Sequence, residues 1–343
     1  MLLGFLRLWI SRNSPPLFGS AVPYLAGSIL LAACGFSTGG VMAQGYPTRP
    51  VRIVVPFSPG GSTDAIARTF AQKFADAWGH QVLVENRAGA GAIIGSEVVA
   101  KAAPDGHTLL MTTTGHALLS SLYRKLPFDP VNDFAAVTQV TSTYLVLVSN
   151  PSVQASSVRE LVALARANPG KMNYGHTGVG VAPHLVAEML RIAAGINVVA
   201  VPYKGGAPLA LAILANEVQY AFVPATDVVE NVKAGRLRVL GVSGTSRGVA
   251  FPDAPSMIEA GLPSVEYAGW VGLFAPAGTA RDILLKVSAE VARVLRLQDV
   301  AARLPGWGGE AAGTMPEQFS AKLREDVTKY AKIIKEARIP MLD

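Results

Sequence analysis

The stretch Val51-Arg52-Ile53-Val54-Val55-Pro56-Phe57-Ser58-Pro59-Gly60-Gly61-Ser62-Thr63-Asp64 decides how the chain is read. Its β-branched first half suits a buried strand. The Ser-Pro-Gly-Gly-Ser run is a tight loop, and a helical pattern begins near Thr63. Strand, loop and helix start in that order are how α/β proteins build anion sites. The two glycines let the backbone approach a ligand closely, while the helix start directs unpaired amides and a positive dipole end into the loop. The plainer reading is an ordinary strand-to-helix turn with Ser62, Thr63 or Asp64 as N-cap.

Before this strand, residues 1–43 have the form of a secretory signal peptide. Arg7 and Arg12 supply a positive leading region, Val22 to Ala33 is apolar, and Val41-Met42-Ala43 before Gln44 fits a small-x-small cleavage site. Leu31-Ala32-Ala33-Cys34 also resembles a lipobox, in which Cys34 would carry a lipid anchor; cleavage after Ala43 is the favoured alternative. The chain is thus expected in the periplasm. Cys34 is the only cysteine, so disulfides cannot hold the folded part together and stability must come from core packing.

The chain is 50% hydrophobic but only 16% charged, a balance that suits a large buried sheet. Its formal charge of +6 falls to +4 without Arg7 and Arg12, which leaves 28 basic against 24 acidic residues. That excess favours small anionic ligands or solubility. No basic run with interleaved aromatics suggests nucleic acid.

Strand and helix patterns then alternate almost throughout, as in doubly wound sheets. Strands are expected at Gln81 to Glu85, His107 to Thr112, Tyr144 to Ser149, Met172 to Gly175, Asn197 to Tyr203, Val218 to Val223 and Leu237 to Ser243. Helices fall between most of them. Two sheets of about five strands each accommodate this inventory better than one. Tyr267 to Pro276 reads as a further strand, Thr279 as cap of a helix reaching Leu297, and Pro316 to Ala337 as a helix pair or one bent helix. Those helices are expected to return to the first domain. That makes residues 44–143 and 268–343 domain 1 and 144–267 domain 2, with a hinged cleft between them.

The runs YPTRPVRIVVPFSPGGSTDAIAR, VLVENRAGAGAIIGSEVVAKAAPDGHTLLM, YGHTGVGVAPHLVAEML, VPYKGG and KAGRLRVLGVS stand in the order and spacing of one known family. The chain from Tyr46 onward resembles the Bug family, the periplasmic substrate-binding proteins of tripartite tricarboxylate transporters. The resemblance implies an α/β, two-lobed type II periplasmic binding protein fold, each lobe a mainly parallel sheet flanked by helices. It implies a solute-binding protein that captures a small carboxylate-bearing metabolite for a membrane transporter. It implies no enzymatic activity, cofactor or metal; the expected partners are the carboxylate and, transiently, transporter subunits, with the protein itself a monomer.

Family roles carry over residue by residue. The loop holding Phe57, Ser58, Gly60, Gly61 and Ser62 would bind a carboxylate through backbone amides and hydroxyls. Asp64 reads as structural, placed to favour the helix dipole. His176, Thr177 and Gly178 would form the matching loop of the second domain, although the family usually has serine at the position of His176. A histidine facing the cleft would add charge-assisted recognition; a solvent-facing one would not. His184 reads as a structural histidine. Thr113 and Thr114, at the carboxyl end of a strand, are candidate wall contacts, with helix capping as the plainer role. Tyr203 would close the pocket, with Lys204 facing solvent. Asp227 stands later than the family's aspartate; facing the cleft, it would suit an ammonium or hydroxyl and oppose a second carboxylate.

The glycine pattern from Asn86 to Gly95 approximates a dinucleotide fingerprint, but it does not follow the first strand, and it is assigned to turn and helix packing. The rival class is a secreted hydrolase that recruits one of His107, His116, His176 and His184 as base beside Ser58 or Ser62. No G-x-S-x-G elbow or paired metal spacing supports it. An effector-sensing domain of a transcription regulator shares the fold type, but export and the missing helix-turn-helix argue against it.

Overall fold

The computed structural model describes residues 45–343, Lys204 excepted. The expected signal peptide, its cleavage point, Cys34 and Lys204 therefore lie outside the described residues. Among the described residues no helix is long and apolar enough to cross a membrane.

Strand β1 (Val51–Val55) forms where the sequence places it, with every side chain but that of Arg52 buried. Helix α1 (Ser62–Trp78) follows and turns Ile66, Phe70 and Phe74 inward before ending at Gly79 in the left-handed conformation. The chain continues through β2 (Val82–Asn86), α2 (Ile93–Ala100), β3 (Thr108–Thr113), α3 (Gly115–Leu122) and β4 (Phe134–Thr143). Much later it returns as β10 (Gly269–Pro276), α8 (Arg281–Leu295), α9 (Gln298–Ala301), β11 (Gly309–Ala311) and α10 (Pro316–Glu336). These strands make one six-stranded sheet in the order β11-β4-β10-β3-β1-β2. β1 pairs in parallel with β2 and β3, setting Ile53 beside Val84 and Leu109. β10 runs antiparallel to both β3 and β4, with all eight of its residues buried.

The intervening segment builds a second sheet. It comprises β5 (Leu145–Ser149), α4 (Val158–Ala167), β6 (Asn173–His176), α5 (Ala182–Ala194), β7 (Val199–Pro202), α6 (Gly206–Leu214), β8 (Tyr220–Pro224), α7 (Ala225–Lys233) and β9 (Arg238–Val242). The order is β7-β6-β8-β5-β9, with β6 parallel to β7 and β8 and with β5 antiparallel to β8 and β9. Both sheets are therefore mixed: parallel strand-helix units with antiparallel strands such as β10 and β5 inserted among them.

Only Tyr144 separates β4 in one sheet from β5 in the other, and the chain returns between β9 and β10. The two crossings are stitched together. Buried Ser243 accepts from the Leu145 amide through Oγ (2.9 Å) and donates to the Tyr267 carbonyl (3.0 Å). Its own amide and carbonyl bond Leu145 and Tyr267.

Two details differ from the sequence reading. β4 and α3 were not foreseen; β4 carries Thr138, Gln139 and Thr141 in buried positions, so it lacks the apolar alternation that marks a strand. Polar partners meet part of that burial: Thr138 Oγ1 donates to the Thr314 carbonyl (2.7 Å), the Gln139 backbone amide donates to Thr314 Oγ1, and Gln139 Nε2 donates to Ser142 Oγ, while Thr141 Oγ1 has no partner among the described residues. Thr279 does not cap α8, whose N-cap is Ala280; its hydroxyl donates to the Pro276 carbonyl instead. The last segment is a single helix, one of the two alternatives read from the sequence.

Candidate functional site

A cavity of about 920 Å³ opens where the two sheets face each other. Its wall takes the N-terminal ends of α1, α3, α5 and α7, represented by Ser62, Gly115, Ala182 and Thr226. Four helix starts converging on one space give it a positive electrostatic character without any cation. Among the described lining residues there is no lysine or arginine, and the one carboxylate is Asp227.

The first loop is held rigid from behind. Gly61, not Ser62, Thr63 or Asp64, is the N-cap of α1, in extended backbone and without a side-chain capping bond. The helix starts one residue earlier than read, and Asp64 falls in its first turn with both carboxylate oxygens in use. Oδ2 accepts from the Gly60 amide (2.9 Å) and from Arg68 Nε (3.0 Å), while Oδ1 accepts from Asn86 Nδ2 (2.9 Å). Asn86 Nδ2 also donates to the Phe57 carbonyl (3.1 Å), so one network pins both ends of the loop. Burial alone would raise the Asp64 carboxyl, but these bonds and the Arg68 charge hold it below the ordinary value. The Gly60 amide is thereby used up. The amides of Gly61, Ser62 and Thr63 take no acceptor among the described residues, and Phe57, Ser58, Gly60, Gly61 and Ser62 all line the cavity.

The second loop repeats the same construction. Val181 is the N-cap of α5, Gly180 stands before it at φ +77°, and the Gly180 amide donates to His184 Nδ1 (3.1 Å), four residues ahead. In the first loop Gly60, at φ +90°, makes the equivalent bond to Asp64. Both positions need glycine because the left-handed backbone penalises a Cβ. At Gly180 a Cβ would also lie 2.6 Å from a Leu122 methyl of α3. Accepting at Nδ1 requires a ring unprotonated there, and burial, followed by the neighbouring His176, lowers the His184 pKa to about 4.

His176 does not face the cavity. It is 2% exposed, stacks on His184 with ring centroids 4.3 Å apart, and places Nδ1 2.7 Å from the Gly178 carbonyl. The end of β6 turns it under the loop. Thr177 and Gly178 do not line the cavity either; Val179, Gly180 and Val181 stand in their place. Tyr203 lies against Gly175 beyond the edge strand β7, away from the lining.

Thr113 and Thr114 do line it. Thr114 Oγ1 is occupied by the Trp270 amide (2.7 Å), which ties it to β10. The neighbouring Thr112 Oγ1 and His116 Nδ1 are buried without partners. His116 Nε2 lies 2.9 Å from the Pro130 carbonyl, which can only accept. The proton therefore sits on Nε2 and leaves Nδ1 as a bare acceptor. Burial lowers the His116 pKa to about 4. His107, His176 and His184 lie outside the lining, so of the hydrolase candidates only His116 shares the cavity with Ser58 and Ser62.

Asp227 stands in the first turn of α7, as Asp64 does in α1, with a different outcome. Its only hydrogen bond among the described residues is from Thr226 Oγ1 (3.3 Å). Desolvation by the concave wall raises its carboxyl above the ordinary value against that one bond. Sequence reading missed much of the remaining wall: Leu119 of α3 and Tyr123 just after it, Tyr144, Tyr267 and Trp270 of the crossings, and the Gly306-Trp307-Gly308 turn. It also gave the glycine-rich run after β2 to packing alone. Gly95 is a packing glycine, closed in by Pro56 and the Arg87 carbonyl, whereas Ala88, Gly89, Gly91 and Ala92 face the cavity.

Known proteins share this architecture. Protein BugT of Bordetella pertussis is 32% identical over 310 residues, 90% of this chain and 95% of its own. A structure of Rpa4515 from R. palustris with adipate is 31% identical, with a TM-score of 0.73 over 87% of this chain and 100% of that one. MatC of Rhodopseudomonas palustris, with bound malate, is 29% identical, with a TM-score of 0.69 over 84% and 100% of the two chains. Residues 66–339 match the family described as tripartite tricarboxylate transporter family receptor. The fold, the interlobe cavity and these matches place the chain in that family, among the Bug-type periplasmic solute-binding receptors.

Proposed function

We propose that this protein captures a small carboxylate-bearing metabolite in the cavity between its sheets and presents it in the periplasm to the membrane subunits of a tripartite tricarboxylate transporter. The observation that carries the reading is the pair of Gly61 and Ser62 amides, unpartnered among the described residues at the start of α1, in residues that line a cavity without lining lysine or arginine. Amides aimed from a helix start stabilise a carboxylate, and a network already holding the loop spares the ligand the cost of ordering it. The structures of relatives with adipate and with malate support the ligand class. Residues 44–143 with 268–343, and 144–267, act as the two lobes, and the bonded crossings at Leu145, Ser243 and Tyr267 act as the hinge about which they close.

Gly61→Val tests the site. Gly61 has φ −77° and open space around its Cα, so valine fits the backbone, whereas Gly60 at φ +90° would strain. Its branched side chain stands before the amides. Titration calorimetry with a panel of mono- and dicarboxylates, adipate and malate included, is expected to show binding to the parent protein and at least a tenfold loss in Gly61→Val. Equal affinity in the two proteins sinks the assignment, and turnover of carboxylate esters by the parent protein would favour the hydrolase instead.

A further inference from the structure

The cavity is electrostatically lopsided, and the imbalance bears on what the far end of a ligand can be. Asp64 and Asp227 occupy the same place in two helices that start on the same space. Asp64 is buried and has spent its oxygens on Gly60, Arg68 and Asn86. Asp227 is exposed, receives one long bond from the adjacent Thr226 hydroxyl, and is the sole carboxylate among the described lining residues. No lining lysine or arginine offsets it. A carboxylate has about four acceptor sites; Asp227 Oδ1 takes the Thr226 hydroxyl and Oδ2 lies beside Gly206 at the start of α6, so among the described residues the remaining sites are open to something inside the cavity.

We propose that Asp227 selects carboxylates whose far end donates hydrogen bonds, as a hydroxyl or an ammonium does, and rejects those whose far end is a second ionised carboxylate. The assignment rests on the reading of the α1 amides as the anchor for the first carboxylate. With that group anchored, a hydroxyl or ammonium at the other end meets an acceptor. A second carboxylate meets a like charge that no lining lysine or arginine offsets, and the two repel. Specificity of this kind is negative: Asp227 need add little affinity for the preferred ligand, because it acts by penalising the competitor.

The test compares three series of straight-chain acids of three to eight carbons, identical except that the far end is a hydroxyl, an ammonium or a carboxylate. Affinities are measured by calorimetry on the parent protein, on Asp227→Asn and on Gly61→Val. Asp227→Asn preserves shape, and among the described residues the side chain holds no hydrogen bond beyond that from Thr226, so it is expected to fold. The parent protein should bind the best hydroxyl- or ammonium-ended acid at least about tenfold more tightly than the dicarboxylate of equal length. Asp227→Asn should reduce that ratio to about threefold or less, mainly by improved dicarboxylate binding. If the acids bind and Gly61→Val weakens all of them, while the ratio is the same in the parent protein and Asp227→Asn, the Asp227 assignment fails and the anchor stands. If no acid of any series binds the parent protein, the anchor itself fails and the assignment falls with it.

Discussion

Replacing Asp64 by asparagine removes one oxygen and one charge, and every partner of that carboxylate is a donor. Gly60 N and Arg68 Nε share Oδ2, and Asn86 Nδ2 uses Oδ1. The best placement of the new amide keeps its oxygen toward Gly60 and Arg68 and turns its NH2 against the Asn86 NH2. Asn86 cannot flip to compensate, because its own groups serve the Phe57 carbonyl and Arg68 Nη2. Leaving one buried donor unpaired costs about 1–3 kcal/mol, and losing charge assistance in the other two bonds adds roughly 1 kcal/mol, discounted because Arg68 is half exposed. Asp64→Asn is therefore expected to unfold in urea with about 2–4 kcal/mol less stability and an unchanged slope.

The pH dependence has a definite sign. The Asp64 carboxyl is held below its ordinary value, so its stabilising share is present above the unfolded pKa of about 3.9 and is lost as pH falls through the folded pKa. The gap between parent protein and variant should then narrow between pH 7 and pH 3. Carboxylate affinity should fall about tenfold, because ligand binding must now order the Phe57–Gly60 loop. A variant within about 0.5 kcal/mol of the parent at pH 7, with no narrowing in acid and unaltered affinity, would refute the claim that this network builds the site.

Two other perturbations follow from the same geometry. Gly180→Ala places a Cβ against Leu122 at a left-handed backbone position, so stability should drop by about 1–3 kcal/mol; a double-mutant cycle with Leu122→Ala should reveal coupling above about 0.5 kcal/mol, and simple additivity would contradict the contact. His116 should remain neutral with its proton on Nε2 until about pH 4, so its contribution to stability is full above the unfolded pKa of about 6.5 and is lost as pH falls toward 4. Nitrogen-resolved NMR of the ring reads this directly, and half-titration near 6.5 would show that the buried site is mistaken.

Local physics made much of this protein legible in its sequence. β-Branched runs broken by glycine and proline located β1 and the loop after it, and the alternation of strand and helix patterns indicated two sheets, as found. The structure groups Phe57, Ser58, Gly60, Gly61, Ser62, Thr113, Thr114 and Asp227 around one cavity. Each of them lies at a strand end or a helix start, where sequence signals are strongest.

Other features depended on groups distant in the chain. β4 was hidden because its buried Thr138 hydroxyl and Gln139 backbone amide find their partners in Thr314, some 175 residues away. The direction of His176, the loss of the Gly60 amide to a carboxylate shared with Asn86, and the single hydrogen bond that Asp227 receives among the described residues, against the three at Asp64, follow from which neighbours the fold supplies. Backbone preference is set within a few residues, so the sequence by itself determined the elements and the kind of loop they form. Hydrogen-bond satisfaction and burial are set by packing, so only the tertiary structure decided which polar atoms are spent internally and which remain free to meet a ligand.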